Sequence, residues 1–248
     1  MNESEFSAHY DPTKFERPSV AVDVVLLSID LTDSLCAVLV RRKEHPDKGA
    51  WALPGGFVRI DESLDAAAAR ILNEKAKLRR VFLEQLYTFG AVHRDPRTRV
   101  ITVAHYALVD FRRLAASYAH VSDDLVVARL DVPWSGEAGG AVRTLDERAK
   151  PLRLAFDHAR ILGLAVKRIR GKLNYAPIGF ELLPEAFTLF ELQRVHQAVL
   201  GRKLNKDSFR RKILASGLIE PTGAAQTNVG HRPPALYHFL KEQGANHG

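Results

Sequence analysis

Apolar residues follow two kinds of repeat along this chain, and together they predict a sheet packed against helices. Short runs rich in Val and Leu, bounded by turn residues, are typical of buried strands. We predict such strands at residues 20–31, 36–42, 87–92, 100–109 and 125–132. Because helical patterns are interspersed with these runs, the fold class is α/β (α+β), a sandwich of a mixed sheet and helices.

Two long helices are predicted from apolar positions that recur every three or four residues. The first covers residues 62–78, and Asp61 before it is the expected N-cap. The second covers residues 152–173, where seven apolar positions alternate between these two spacings. His158 lies off that apolar stripe, so we predict a solvated surface histidine.

The C-terminal part of the chain has the order of a winged helix. Thr188 and Glu191 form a capping-box pattern at the start of one helix, and Gly201 is expected to end it. A second helix follows after a short turn, at residues 206–216, which is typical of helix-turn-helix geometry. A Gly- and Pro-rich stretch and an apolar strand at 235–240 then predict the hairpin called the wing.

The second of these helices has a predicted apolar side and a predicted DNA-facing side. A rotation of 100° per residue places Phe209, Ile213 and Leu214 together in the core. Residues 188–234 contain eight Lys and Arg against three acidic residues, a net charge of +5, which favours a polyanionic partner. We therefore predict DNA contacts from helix and wing residues, namely Lys206, Ser208, Arg211, Lys212, His231 and Arg232.

Composition narrows the class of protein further. The 248 residues have a net charge of +7 and a pI near 9.6, which makes acidic partners plausible. A single cysteine, Cys36, excludes an intramolecular disulfide. Because we find neither an apolar stretch of about 18 residues nor the apolar core of a signal peptide, we expect a cytoplasmic protein without membrane association.

Residues 55–78 resemble a Nudix box, whose pattern is G-x5-E-x7-R-E-U-x-E-E-x-G-U with U an aliphatic residue. Six residues match the pattern in register: Gly56, Glu62, Arg70, Leu72, Glu74 and Leu78. Three residues depart from it and replace two glutamates and the glycine: Ile71, Lys75 and Lys77. The resemblance implies a Nudix-like domain that has lost part of its catalytic chemistry.

Loss of these carboxylates predicts binding without cleavage. Positions 71, 74 and 75 share one helix face, where three glutamates would hold a divalent metal. Only Glu74 remains, so we expect no catalytic residues and no bound metal. The segments at 41–58 and 89–108 resemble the ADP-ribose-directed Nudix branch, which implies binding of a diphosphate. The expected effector-binding residues are Glu62, Arg70, Glu74, Lys75, Arg94, Arg97 and Arg99, although Glu62 and Arg70 would equally serve to pair helix and loop.

The order of the two domains, a Nudix-like domain followed by a winged helix, resembles that of the Nudix-related transcriptional regulators of NAD metabolism. The resemblance implies a homodimeric repressor that binds a palindromic operator in double-stranded DNA near NAD biosynthesis or salvage genes. Its effector would be ADP-ribose or a related nucleotide, with no required cofactor. We expect an N-terminal segment at 1–19, a Nudix-like domain at 20–150, a connection at 151–183 and the winged helix at 184–248.

Two alternatives stay open at the level of sequence. One is a metal-dependent ADP-ribose pyrophosphatase in which the C-terminal module only docks. The other is a regulator of the same architecture that responds to pentoses.

Overall fold

The computed structural model describes residues 2–118, 124–173, 175–226 and 233–240. The described strands are β1 (Ser19–Ile29), β2 (Leu35–Arg41), β3 (Trp51–Ala52), β4 (Gly55–Phe57), β5 (Phe82–Phe89), β6 (Val100–Leu108), β7 (Leu125–Asp131), β8 (Arg143–Leu145), β9 (Phe187–Thr188), β10 (Ile219–Ala225) and β11 (Ala235–Phe239). The described α-helices are α1 (Glu3–His9), α2 (Leu64–Ala76), α3 (Phe111–Tyr118), α4 (His158–Lys172), α5 (Leu189–Leu200) and α6 (Lys206–Ala215). Two 3-10 helices lie at Pro12–Lys14 and Pro177–Leu182. Among these residues, no helix has the length and apolar character needed to cross a membrane.

The first eight strands form one mixed sheet in the order β5-β6-β1-β2-β7-β8, with β3 beside β2 and β4 beside β1. The β1–β6 pair is parallel, and the other pairs are antiparallel. Because β4 pairs with β1 only over Ala21–Asp23, the sheet opens at this end of β1. The mixed sheet and the predicted α+β class are therefore confirmed.

Helices cover both faces of this sheet. On one face α2 packs Ala68, Ile71 and Leu72 against alternate residues of β1, as its helical spacing predicts. Ser63, not Asp61, is the N-cap, because its side chain accepts from the Ala66 N–H. The predicted cap was therefore placed two residues too early.

On the opposite face α4 fills the larger core with apolar residues that include Ile161, Leu162 and Val166. This helix begins at His158, six residues later than predicted. Residues before it are extended because the Ala155 N–H donates to Trp51 O and the Trp51 N–H donates to Arg153 O. Tertiary strand pairing thus overrides the helical pattern of residues 152–157.

One further strand and one helix differ from the sequence prediction. The strand predicted at 87–92 is β5, which ends at Phe89, and helix α3 was not predicted. The predicted C-terminal elements agree well: Thr188 and Glu191 form the capping box of α5, and Gly201 ends it with φ 65°. Strands β10 and β11 form the predicted hairpin, and β9 joins it as a third strand.

The winged helix has its own apolar core and also shares residues with the first domain. Phe187, Leu192, Phe209 and Ile213 are among the residues of its separate cluster. In contrast, Val195 and Val199 of α5 belong to the large core under α4. Helix α5 therefore packs against both domains, so a movement of α4 would also displace the helix-turn-helix.

Candidate functional site

A cavity of about 710 Å³ opens at the end of the sheet between β4, the C-terminal end of α2 and the start of α4. We call it the central pocket. Seven Lys or Arg residues and five Asp or Glu residues line it, together with the backbone of Gly55 and Gly56. Its size is in the range of sites for nucleotides and other small molecules.

One side of the central pocket is the end of the helix that resembles the Nudix box. Glu74, Lys75 and Lys77 line it, and we call them the α2 wall. Among the described residues, no carboxylate lies within ion-pair distance of Lys75 or Lys77. Two departures from the Nudix pattern, a lysine in place of a glutamate at 75 and in place of the glycine at 77, therefore bring two uncompensated cations to the pocket.

Lys77 also occupies a demanding backbone position. It is the C-cap of α2 in the left-handed conformation, with φ 55° and ψ 26°. A glycine adopts this conformation without strain, whereas an L side chain costs about 1 kcal/mol or more. The helix end thus keeps the geometry of the Nudix pattern although the glycine is replaced.

A divalent metal does not fit the residues on the metal-binding face of the pattern. Ile71 is 1% exposed and packs in the core, and Glu74 is engaged by Arg70 at 3.3 Å and by Arg59 at 3.5 Å. Lys75 adds a positive charge to the same face. Within the described part of the chain, no three His, Cys, Asp or Glu residues converge to hold a metal ion.

Glu62 and Arg70 lie close to this face but do not line the central pocket. Arg70 donates to both carboxylate oxygens of Glu62, at 2.6 and 2.8 Å, and to Phe57 O at 3.2 Å. The hydrogen bond from Arg70 lowers the pKa of Glu62 to about 2. The pair ties the loop before α2 to the helix, in agreement with its pairing role.

The opposite side of the central pocket is a cluster of buried charges. Arg94 is 5% exposed and makes a bidentate contact with Asp157 at 2.7 and 3.1 Å. Asp23 lies 3.5 Å from Arg94 and 3.7 Å from His158 Nε2. We call Asp23, Arg94, Asp157 and His158 the buried wall, in which charges are neutralised internally.

His158 contradicts the expectation of a solvated histidine, because it is only 4% exposed. Its Nδ1 accepts from the Leu53 N–H at 2.9 Å, so the neutral ring has its proton on Nε2, facing Asp23. Burial lowers the pKa of His158 and favours that neutral form. The prediction failed because the buried face of α4 is wider than the predicted stripe: His158 lies three and four residues before the buried Ile161 and Leu162, on the same face.

Phe156 forms an apolar part of the central pocket between these two charged sides. Its φ of 50° is unusual for a bulky residue, and its N–H donates to the Asp47 carboxylate at 3.2 Å. The Arg42 guanidinium lies 4.6 Å from the centre of its ring, a cation–π distance. An aromatic ring held in this way would suit a planar, electron-rich group.

The three predicted loop arginines occupy different environments. Arg94 belongs to the buried wall, and Arg97 lines the central pocket while pairing with Asp95 at 2.8 Å. Arg99 donates instead to the carbonyl oxygens of Gly90 and Ala91 and is absent from the pocket lining. The structure therefore brings Glu74, Lys75, Arg94 and Arg97 together, but not Arg99 or the Glu62–Arg70 pair.

Sequence reasoning missed the pocket residues Asp23, Arg42 and Phe156, and also Asp157, which is bound to the pocket residue Arg94. Asp23 could have been found, because it is a charged residue inside the apolar run of β1. Arg42 ends the predicted strand 36–42, and Phe156 and Asp157 lie in the predicted helix 152–173, where the apolar pattern assigns them no binding role. Only the fold brings them to the pocket.

The predicted DNA-binding side of α6 is exposed. Phe209 and Ile213 are buried as predicted, whereas Leu214 is 45% exposed and does not belong to the core. The helix faces solvent with most of its polar residues, including Lys206, Ser208, Arg210, Arg211 and Lys212. His231 and Arg232 lie outside the described residues.

Comparison with known proteins agrees with this order of domains. A NUDIX domain model matches residues 17–125, and the model of the NrtR DNA-binding winged helix domain matches residues 179–239. The ADPR responsive transcriptional repressor NtrR of Acinetobacter baylyi is 35% identical over 240 residues, 96% of this chain and 88% of that protein. An ADP-ribose pyrophosphatase of Methanocaldococcus jannaschii is 36% identical over 86 residues, 35% of this chain and 48% of that protein.

Two solved structures are similar over nearly the whole chain. The Shewanella oneidensis NrtR complexed with a 27mer DNA has a TM-score of 0.73 and 33% identity, covering 89% of this chain and 93% of that one. A MutT/nudix family protein from Enterococcus faecalis has a TM-score of 0.74 and 27% identity, covering 97% and 94%.

Fold and site together define a class of protein in which a Nudix-type domain is joined to a winged-helix DNA-binding module. Within that class, similarity along 96% of the chain identifies the particular family. This chain belongs to the NrtR family.

Proposed function

We propose that this protein is a transcriptional repressor that binds operator DNA of NAD biosynthesis or salvage genes and responds to ADP-ribose or a related nucleotide. The proposal depends most on the full-length similarity to the ADPR responsive repressor. It is supported by an exposed basic face on α6 and a charged central pocket, which would serve as the two binding sites that this function needs.

The central pocket would bind the effector through its unneutralised cations. Lys75 and Lys77 would contact the diphosphate from the α2 wall, and Arg97 would approach it from the other side. Glu62, Arg70 and Arg99 lie outside the pocket lining and Arg94 is buried in its ion pairs, so these four residues would act indirectly, whereas the Arg97 side chain is 46% exposed. Phe156 would provide a stacking surface for a base.

The protein would bind its effector without cleaving it. Ile71 and Lys75 leave one carboxylate of the predicted metal face, which is insufficient to hold a divalent ion and orient water. A second candidate function, hydrolysis of ADP-ribose, is favoured by the local similarity to the archaeal pyrophosphatase. Release of AMP that depends on Mg²⁺ and is lost in Glu74→Gln would support that alternative.

DNA binding would use α6 and the wing. Ser208 and Arg211 would read bases, while Lys206, Lys212, His231 and Arg232 would contact phosphates or the minor groove. A homodimer would place two such helices on a palindromic operator, with half-sites separated by whole helical turns. Such a repressor would act in the cytoplasm.

Helix α4 would connect the two sites. The Asp157 carboxylate at its N-terminal end is bound to Arg94 of the buried wall, and α4 packs against α5 at its other end. An effector that binds one arrangement of the pocket better than another would shift the winged helices through this helix.

The decisive experiment is fluorescence anisotropy of a labelled promoter fragment from an NAD biosynthesis gene, with and without ADP-ribose at fixed salt. We expect specific binding whose affinity ADP-ribose changes by about tenfold, which corresponds to about 1.4 kcal/mol of coupling. A pentose in place of ADP-ribose should have no effect. Absence of specific DNA binding would contradict the proposal and favour the hydrolase.

A further inference from the structure

A second cavity, of about 480 Å³, lies where the winged helix meets the Nudix-type domain. Its walls are the β1–β2 turn, the end of β7, α4 and the C-terminal turns of α5. We call it the joint pocket. It is lined by four positively charged side chains and one carboxylate, namely Arg170, Arg194, Arg202, Lys203 and Asp33.

The charges in the joint pocket do not cancel. Asp33 forms an ion pair with Arg194, which leaves three cations. The C-terminal end of α5 contributes about half a negative charge to the same region. An excess of more than two positive charges therefore remains, and an anion bound there would relieve their mutual repulsion.

Arg170 is the least expected of these cations because it is only 3% exposed. It donates to the carbonyl oxygens of Val199 at 2.8 Å, Trp134 at 2.9 Å and Gly136 at 3.2 Å, and it stacks on the Trp134 ring at 4.6 Å. Within the described part of the chain, no carboxylate lies within ion-pair distance of it. Its charge is thus stabilised by dipoles and a ring, without a counter-ion.

The local backbone keeps this guanidinium at the pocket. A Cβ at Gly201 would lie 2.9 Å from Arg170 Nη2, so the glycine that ends α5 also makes room for the arginine. Gly201 and Arg170 both line the joint pocket. Arg202 and Lys203 follow directly in the exposed turn before α6 and complete the positive side.

We propose that the joint pocket binds a small polyanion that contains phosphate groups. Arginine forks and lysine ammonium groups are the usual donors to phosphate oxygens, and this cavity could hold a group larger than one phosphate. Because its walls come from both domains, the bound anion would fix their relative orientation. The site is separate from the central pocket and does not depend on the function proposed above.

Inorganic pyrophosphate is a suitable probe, and isothermal titration calorimetry of the full chain is the measurement. The protein should contain Lys75→Ala and Lys77→Ala, which remove the two cations of the α2 wall and so weaken competing pyrophosphate binding in the central pocket. We expect binding that weakens about tenfold, a loss of about 1.4 kcal/mol, when Arg202→Ala and Lys203→Ala are added. Both side chains belong to exposed residues, so the variant should fold; thermal melting without pyrophosphate checks this.

The matched control is Arg148→Ala with Lys150→Ala, which removes the same charge from an exposed loop outside the pocket. Pyrophosphate affinity in this control should equal that of the parent. Equal weakening in both pairs, or no pyrophosphate binding in the parent, would overturn the proposal.

A final arm separates a free anion from the DNA backbone as the source of phosphate. Duplex DNA is titrated into the parent and into the Arg202→Ala, Lys203→Ala protein. If that pair weakens DNA binding but leaves pyrophosphate binding unchanged, the two side chains serve DNA and the joint pocket is not a site for small anions.

Discussion

The two charged sides of the central pocket differ in where their charges are neutralised. In the buried wall, Arg94 is held between Asp157 and Asp23, and neutral His158 completes the cluster. In the α2 wall, Lys75 and Lys77 are exposed, and no described carboxylate pairs with them. Charges that neutralise one another inside the protein depend on their partners, so the loss of one partner is costly, whereas charges left unpaired at a cavity are free to bind a ligand.

The largest effect should follow from Arg94→Met, which breaks the buried wall. Two carboxylates, Asp23 and Asp157, would lose their counter-ion in a buried site, at a cost of about 3–5 kcal/mol. Urea unfolding followed by circular dichroism measures it. Arg143→Met is the matched control, because its 67% exposed side chain pairs with the partly exposed Asp131 and should contribute less than about 1 kcal/mol. Equal destabilisation by the Arg94 substitution and by its control would contradict the argument that the buried wall depends on its ion pairs.

Lys75→Ala should change ligand affinity and leave stability unchanged, which is the opposite of what we expect for Arg94→Met. Loss of one charged contact to a diphosphate should weaken ADP-ribose binding by about 1.5–3 kcal/mol, while stability stays unchanged. Calorimetry measures the affinity, and thermal melting without ligand measures stability. Lys48→Ala removes an exposed lysine outside the pocket and should change neither quantity. Wild-type affinity in Lys75→Ala would eliminate this lysine as an effector contact.

Acidification should reduce the stability of the folded protein through His158, by less than the substitutions above. Burial lowers the pKa of His158, so below pH about 6.5 the unfolded chain binds more protons than the native one. Stability contributed by the neutral ring is therefore present above that pH and is lost as the pH falls. The denaturation midpoint of the wild type should decrease between pH 7 and 5 more steeply than that of His158→Asn.

Some pH dependence should persist in His158→Asn, because burial also lowers the pKa of His196, to about 4. Comparison of the His196→Asn variant with the wild type measures how much of the pH dependence of stability comes from His196. Identical pH profiles for wild type and His158→Asn would mean that the buried wall does not depend on a neutral histidine.

The smallest effect should be a gain in stability from Lys77→Gly. Glycine adopts the left-handed φ of 55° without strain, and we expect a net stabilisation of about 0.5–1 kcal/mol. The same change should weaken ADP-ribose binding, since a cation leaves the α2 wall. Urea unfolding and calorimetry on the one variant test both signs, and a loss of stability would contradict the strain argument.

Local patterns predicted the elements whose signals are local. The capping box of Thr188 and Glu191, the stop at Gly201 and the apolar positions of α2 and α6 depend on neighbours in sequence, so most were placed within two residues. Leu214 is an exception, since helix rotation alone does not tell how far the core extends. The predicted start of α4 was wrong because strand pairing with Trp51 competes with helix formation before His158.

The printed residues alone were enough to predict the two domains, the departures from the Nudix pattern at positions 71 and 75 and the basic face of α6, because these follow from residue type and regular spacing. Which charges are neutralised depends on contacts between residues far apart in sequence, and these could not be predicted. Arg94 and Asp157 are 63 residues apart in sequence. In the joint pocket, the β1–β2 turn and α4 are likewise remote in sequence from the turn after α5 that completes it. Electrostatic energy depends on distance and burial, and folding sets both.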